Sequence, residues 1–297
     1  MKRRMSVLIL SGCVGWGCGH WGKTGADDGG ELATDDVAGD GTDDLGPRRY
    51  TSTRIEAQTF EMGCTTAQQA DCSTNEVEPH EVTLTRAYKI DITEVTFEEY
   101  DRLLEGDLPV YTSGCGENCP VQFVSWHMAA IYANARSAED GLLAFYSCEG
   151  EGPDLDCSLS GDPYESASWR LPTEAEWEAA ARCGTDLKYA GSDTLDEVGW
   201  YDDNSESKTH PVGERGANGC DLRDMSGNVW EWVGDWGESS YDSAAVINPA
   251  GPSRGSFRAL RGGSFGGGAP LARVSARLGF DPDARLSDLG FRLVRSD

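Results

Sequence analysis

The pattern of apolar and polar positions falls into two unlike halves. In the first, short alternating runs precede helical periods. Ala57-Gln-Thr-Phe-Glu-Met-Gly63, Pro79-His-Glu-Val-Thr-Leu-Thr85 and Ala87-Tyr-Lys-Ile-Asp-Ile92 read as strands. Thr96-Phe-Glu-Glu99 is a capping box, in which hydroxyl and carboxylate each satisfy an orphan N–H, and it opens a helix with Phe97, Tyr100 and Leu104 on one face. Pro120-Val-Gln-Phe-Val-Ser-Trp126 leads into a second helix with Ser125 as its cap and Trp126, Ala129, Ala130 and Ala133 inward. A loop-rich stretch, 137–168, follows. Thr173-Glu-Ala-Glu176 is a second capping box, and the third helix it opens should turn Trp177, Ala180 and Ala181 inward. Its Glu174, Glu176 and Glu178 sit where the helix dipole favours acids, an account preferred here to catalysis.

From Gly184 onward the helical period disappears and glycine becomes dense. Arg258–Phe265, Ala272–Arg277 and Leu289–Val294 are the expected strands. The most patterned stretch is Leu222-Arg-Asp-Met-Ser-Gly-Asn-Val-Trp-Glu-Trp-Val-Gly-Asp-Trp236. Ser226-Gly227-Asn228 is a turn, and Val229–Val233 after it reads as a strand. Trp230 and Trp232 then share one face, with Val229, Glu231 and Val233 on the other. A carboxylate on that second face meets either water or a cation. A few helices followed by many short strands make the fold class α+β, loop-rich. No linker long enough to separate domains interrupts the folded part, 49–297.

The N-terminal region changes the picture. Met1-Lys-Arg-Arg-Met5 is basic, and Ser6-Val-Leu-Ile-Leu10 is apolar but too short to span a bilayer. Leu10-Ser-Gly-Cys13 resembles the lipobox of bacterial lipoproteins, which implies a signal peptide over 1–12 and lipidation of Cys13. Val14, in place of Asp, leans to the outer membrane where the host has one, or to a periplasm-facing anchor. Residues 13–48 then form an acidic Gly/Asp-rich tether, with eight Asp or Glu and no Lys or Arg between Thr24 and Gly46. Such a stretch has almost nothing to bury and its like charges extend it. The formal charge of −26 excludes a nucleic-acid partner, since phosphate binding needs a basic footprint.

Eight cysteines remain beyond Cys13 and Cys18, an even number that suits an oxidising compartment. Neighbour spacing suggests Cys64–Cys72, Cys115–Cys119, Cys148–Cys157 and, by elimination, Cys183–Cys220. The Cys115–Cys119 spacing also occurs in zinc sites, but no second cysteine pair or histidine pair follows it.

Eight motifs in one order carry a resemblance: Glu61-Met-Gly63, Ile92–Thr96, Pro120–Trp126, Arg170–Trp177, His210-Pro-Val-Gly213, Asp224–Trp232, Arg261-Gly-Gly-Ser-Phe265 and Leu289-Gly-Phe-Arg292. The chain resembles the formylglycine-generating enzyme, or sulfatase-modifying factor, family. That resemblance implies a variant of the C-type lectin fold with bound calcium. Active members oxidise a cysteine of a client sulfatase to formylglycine with copper and molecular oxygen. Their copper is held by two cysteines between Gly-Gly-Ser and the final Gly-Phe-Arg, and soft thiolates suit that metal. Here the segment 262–277 has no cysteine, and Gly267 stands where the first would be. Ser264 matches the serine of the family's active site and Trp230 a tryptophan of its core motif. A structural calcium is implied on Asp224 and Glu231 side chains with the Gly227 and Val229 carbonyls, a hard-oxygen set. A second calcium site would begin near Asn204-Ser205, where the matching acid is not evident. Copper is not expected. The expected function is a lipid-anchored binding module for a protein or glycan, with the formylglycine-generating oxidase, or another enzyme using the same cleft, as the alternative. The six arginines 258, 261, 273, 277, 292 and 295 could face an anionic ligand, but internal pairing with the abundant acids is the favoured account.

Overall fold

The tryptophan turn opens the strand on which the architecture is built. A computed structural model describes residues 50–68, 72, 79–104, 115–237 and 244–297. They lie in the compact unit Pro47–Asp297. The expected signal peptide, lipidated Cys13 and tether lie outside the described residues. In chain order the strands are β1 (Ser52–Ile55), β2 (Gln58–Met62), β3 (His80–Leu84), β4 (Tyr88–Asp91), β5 (Tyr146–Glu149), β6 (Asp156–Leu159), β7 (Trp230–Trp236), β8 (Val246–Ile247), β9 (Arg258–Arg261), β10 (Arg277–Phe280), β11 (Leu289–Gly290) and β12 (Val294–Ser296). The helices are α1 (Phe97–Leu104), α2 (Trp126–Glu139), α3 (Glu174–Arg182) and the single turn α4 (Leu195–Val198).

The strands form three small sheets, ordered β1-β4-β12, β10-β9-β7-β11 and β2-β3-β8, and a separate hairpin β5-β6. β7 is central, antiparallel to β9 and parallel to β11. Its alternation is the one expected, and both faces are covered. Trp230 and Trp232 enter a core with Trp126, Trp169, Tyr132 and Phe291. Val233 enters a second core with Trp177, Tyr88 and the alanines of α3. β7 therefore divides two hydrophobic clusters, and a strand buried on both sides must neutralise any polar group it carries.

Both capping boxes form. Thr96 N–H donates to Glu99 Oε2 (2.9 Å) and Thr96 Oγ1 accepts from Glu99 N–H (3.2 Å). Thr173 and Glu176 make the same exchange at 2.8 and 3.1 Å. Ser125 Oγ caps α2 by accepting from Met128 N–H.

Three expectations are corrected. α3 has no outward face, because Glu174, Glu176 and Glu178 are each about as buried as Trp177. Helix does recur after Gly184, in the one turn of α4. The strand expected over 272–277 starts only at Arg277: Pro270 opens a 3-10 turn over Ala269–Ala272, and Ala276 N–H turns back to Arg273 C=O. The 137–168 stretch also holds the end of α2 and the β5-β6 hairpin, which pairs Cys148 with Cys157.

One buried acid gives a pH signature. Burial pushes the Asp235 carboxyl from 3.8 up to about 8; the Glu174 charge adds to this and the hydrogen bond from Glu174 N–H opposes it. A carboxyl whose pKa is raised by folding stabilises below its ordinary pKa and loses that contribution as pH rises through its folded value. Melting temperature is thus expected to fall between about pH 4 and pH 8 on account of this group. Asp235→Asn should raise it near the alkaline end and barely change it near the acid end; an equal shift at both ends would refute the assignment.

Candidate functional site

The site divides into a carboxylate nest at the turn and a glycine-rich segment beside it. The turn depends on left-handed residues: Asp224 (φ 59°), Gly227 (φ 92°) and Asn228 (φ 60°). At Gly227 a Cβ would lie 2.1 Å from the Trp200 carbonyl oxygen, so no other residue fits. The tightened chain turns its donors onto Glu94, whose Oε2 accepts from Asn228 Nδ2 (2.6 Å) and Oε1 from Val229 N–H (3.0 Å). Asp224 Oδ2 accepts from Gly213 N–H at 2.7 Å, while its buried Oδ1 has no partner.

Glu231 meets a cation, and that cation is a guanidinium. Arg292 Nε donates to Oε2 and Nη2 to Oε1, both at 2.8 Å, and the Trp177 indole N–H donates to Oε2 at 2.8 Å. Three carboxyls thus share one arginine inside the core. Burial, then the charges of Asp224 and Glu231, push Glu94 well above the ordinary carboxylate range. Burial likewise lifts Asp224 to about 6.

The residues fit a calcium ion only in part. Calcium takes six to eight oxygens. Asp224 offers a bare buried oxygen, and the surplus of negative charge favours a cation. Glu231 is the less open of the two acids, because the Arg292 fork and the Trp177 indole place two donors on Oε2 and one on Oε1, leaving a single acceptor position on Oε1. Among the described residues no group of three or more His, Cys, Asp or Glu side chains is placed to hold a metal ion. An ion here would rest on Asp224 and main-chain carbonyls, with those of Gly227 and Val229 the expected ones.

The glycine-rich segment begins where Gly262 (φ 93°) and Gly263 (φ 77°) end β9. Ser264 is buried, and its Oγ donates to Asp288 Oδ2 at 3.2 Å. The Asp288 carbonyl accepts from Trp230 N–H at 2.8 Å, so one residue ties that segment to the turn. The Trp230 side chain itself packs into the core. Gly267 is held by its N–H to Ser264 C=O (3.0 Å) and its C=O from Asp202 N–H (3.1 Å). A Cβ on Gly267 would meet the Leu271 Cδ1 methyl at 3.4 Å. The segment therefore pairs a serine hydroxyl with a carboxylate. All eight cysteines from Cys64 to Cys220 are in disulfides, 64–72, 115–119, 148–157 and 183–220, so no free thiol occurs among the described residues.

Three of the six arginines pair inward with buried acids, and Arg273 donates to Pro270 C=O and Ser275 Oγ. Arg277 forks onto Glu174 (2.8 and 2.7 Å), Arg261 reaches Glu178, and Arg292 holds Glu231. Arg258 is sandwiched between Trp126 (3.7 Å) and Trp236 (3.6 Å) and donates to Gly234 C=O. Arg295 is the more open one, 3.9 Å from Asp140. The sequence marks Arg292 as a candidate for an anionic ligand and does not mark Glu94 or Trp177 as site residues. Each lies within one of the ordered motifs, which is the signal that marks them.

Comparison with known proteins agrees with this arrangement. The profile of the sulfatase-modifying factor enzyme 1-like domain matches residues 48–297. A relative from Paenibacillus barcinonensis, described as chaperone protein LppX, is 32% identical over 209 residues, covering 61% of this chain and 71% of the relative. The formylglycine-generating enzyme of Streptomyces coelicolor is 38% identical over 145 residues, covering 42% of this chain and 46% of that enzyme. The chain thus spans less than half of that enzyme's length. Among solved structures, Treponema denticola variable protein 1 superposes with a TM-score of 0.73 at 32% identity, covering 84% of this chain and 95% of that one. PvdO from Pseudomonas aeruginosa shares the fold, with a TM-score of 0.67 at 22% identity, covering 83% and 94%.

Proposed function

Because the chain belongs to the sulfatase-modifying factor enzyme 1-like domain family, and its segment 262–277 carries glycine where the family's oxidases carry a copper thiolate, we propose that it is a lipid-anchored binding module of the bacterial cell envelope. One observation carries this reading. The segment 262–277 has no cysteine, and the eight cysteines 64–220 are consumed in disulfides. A copper-thiolate oxidase has nothing here to build on. The chaperone description of the Paenibacillus relative is in keeping with a protein ligand, and a glycan is the other class open to the same module. Copper-loaded protein mixed with a peptide bearing Cys-x-Pro-x-Arg should leave the cysteine unchanged by mass spectrometry. Conversion to formylglycine would overturn the proposal.

The anchor and the ion belong to the same reading. Cys13 is the lipidation site, and several acyl chains would hold the module stably where one would not. Labelled fatty acid should enter the wild-type protein and not Cys13→Ser; equal labelling of both would remove the anchor. The calcium ion is structural, resting on Asp224 with the Gly227 and Val229 carbonyls. EDTA should lower the melting temperature of the wild-type protein and leave Asp224→Asn unmoved, by mass action on a folded-state ligand. A chelator-insensitive wild type would eliminate the ion.

A further inference from the structure

Between the end of α2 and the turn after β6 lies an open cavity of about 560 Å³, lined by residues 141–145, 160–162 and 165–168. α2 ends on its cap at Asp140, Gly141 (φ 69°) turns the chain, and Leu142 N–H returns to Ser137 C=O at 2.8 Å. On the other wall Ser160 N–H closes the base of the β5-β6 hairpin onto Phe145 C=O (3.0 Å), and Asp162 caps a 3-10 turn over Pro163–Glu165. Glycine, alanine and serine leave the space between these walls unfilled. The volume is that of small-molecule sites. The cavity shares no lining residue with the segment 262–277.

Ser168 lines the cavity and is only 8% exposed. Its N–H donates to Ser166 Oγ (3.2 Å), yet its hydroxyl has no hydrogen-bond partner among the described residues. A buried hydroxyl without a partner calls for one from outside the chain. The charged residues of the lining are Asp162 and Glu165, with no Lys, Arg or His among them. Asp162 Oδ1 accepts from Tyr164 N–H at 2.9 Å, which leaves Oδ2 for a ligand. Glu165 meets Arg86 from outside the lining at 2.7 Å, an exposed pair of the kind that contributes little. At the rim Leu143 is 85% exposed, the most open of the large apolar side chains described. Two carboxylates, a free hydroxyl and an uncovered leucine complement a cation carried on methylenes. An anion is repelled there, and a neutral ligand leaves both charges uncompensated.

We propose that this cavity binds a small aliphatic amine, with its ammonium group held by Asp162, Glu165 and the Ser168 hydroxyl and its methylenes laid over Leu143. The full-length protein is titrated by ligand-observed NMR with hexylamine, hexanol and hexanoate, which share one chain length and differ in charge. Salt at about 150 mM screens the long-range field of the −26 chain. Hexylamine should bind, and hexanol and hexanoate should bind at least about tenfold more weakly. The double variant Asp162→Asn, Glu165→Gln should weaken hexylamine by about tenfold or more. Asparagine keeps an acceptor for Tyr164 N–H, so the melting temperature of this variant should hold. Leu143→Ser should weaken hexylamine by about threefold or more, from the methylene contact alone. Asp154→Asn, at an exposed acid outside the lining, should bind as the wild type does. Silence with hexylamine, equal affinity for hexanol, or an unchanged double variant overturns the proposal. An equal loss in Asp154→Asn does so too, because it would reduce the binding to attraction by the acidic surface as a whole.

Discussion

Glu231→Ala is expected to cost about 3–5 kcal/mol of stability, the usual penalty for breaking a buried ion pair from one side. For a domain of this size that is roughly 10 °C of melting temperature. The size follows from what is left behind. Arg292 is fully buried, and with Glu231 gone its Nε and the Trp177 indole N–H lose their acceptor. Arg292 keeps its hydrogen bonds to the carbonyls of Asp91, Ile92 and Arg223 and the field of Glu94 and Asp224, none of which replaces the direct fork. This loss should persist in EDTA, because it comes from the arginine. A melt shift that vanished in chelator would instead make Glu231 a metal ligand. Asp224→Asn is therefore the informative variant for the ion, and Glu231→Ala the informative one for the arginine.

Glu178→Ala should rank beside it, at about 3–5 kcal/mol. Oε1 accepts from Gly63 N–H (2.8 Å) and from Arg182 Nε and Nη2 (2.8 and 2.7 Å), while Oε2 holds Arg261. One side chain thus joins the end of β2, the end of α3 and the end of β9. Its removal leaves Arg182 with the 3.2 Å contact to Asp186, Arg261 with the 3.5 Å one to Glu174, and the Gly63 amide without its acceptor. Glu98→Ala, at an exposed position in the first turn of α1, is the control and should move stability by no more than about 0.5 kcal/mol. Denaturant melts of both variants decide the matter; near-equal effects would show that α3's acids are solvated after all.

These two carboxylates mark the boundary of what local pattern can show. Capping boxes, the Ser125 cap, the β7 alternation and the four disulfides were all legible, since each is decided within a few residues or, for Cys183–Cys220, by elimination. The carboxylate partners were not. Glu231 meets an arginine 61 positions away, Glu178 one at 83 and Glu174 one at 103, and no periodicity reports such pairings. The three glutamates of α3 look like ordinary first-turn acids for this reason. Ala272–Arg277 misleads differently: its alternation is genuine, but Pro270 sets a 3-10 turn ahead of it and Arg273 Nε donates back to the Pro270 carbonyl. The absence of cysteine from 262–277 is read directly from the sequence. The left-handed backbone of Phe123 (φ 56°) is not, because a backbone angle leaves no mark in composition.

The β1-β4-β12 sheet bears on how this domain is completed during synthesis. β4 pairs with β1 on one edge and β12 on the other, so the first and last strands share a neighbour. Until residues 294–296 have emerged, one edge of β4 stays unpaired. Arg292, the counter-charge for Glu231, lies two residues before that strand. A nascent chain therefore carries an open strand edge and an unbalanced acid cluster until residues 292–296 have been made, and every shorter chain exposes that edge to aggregation.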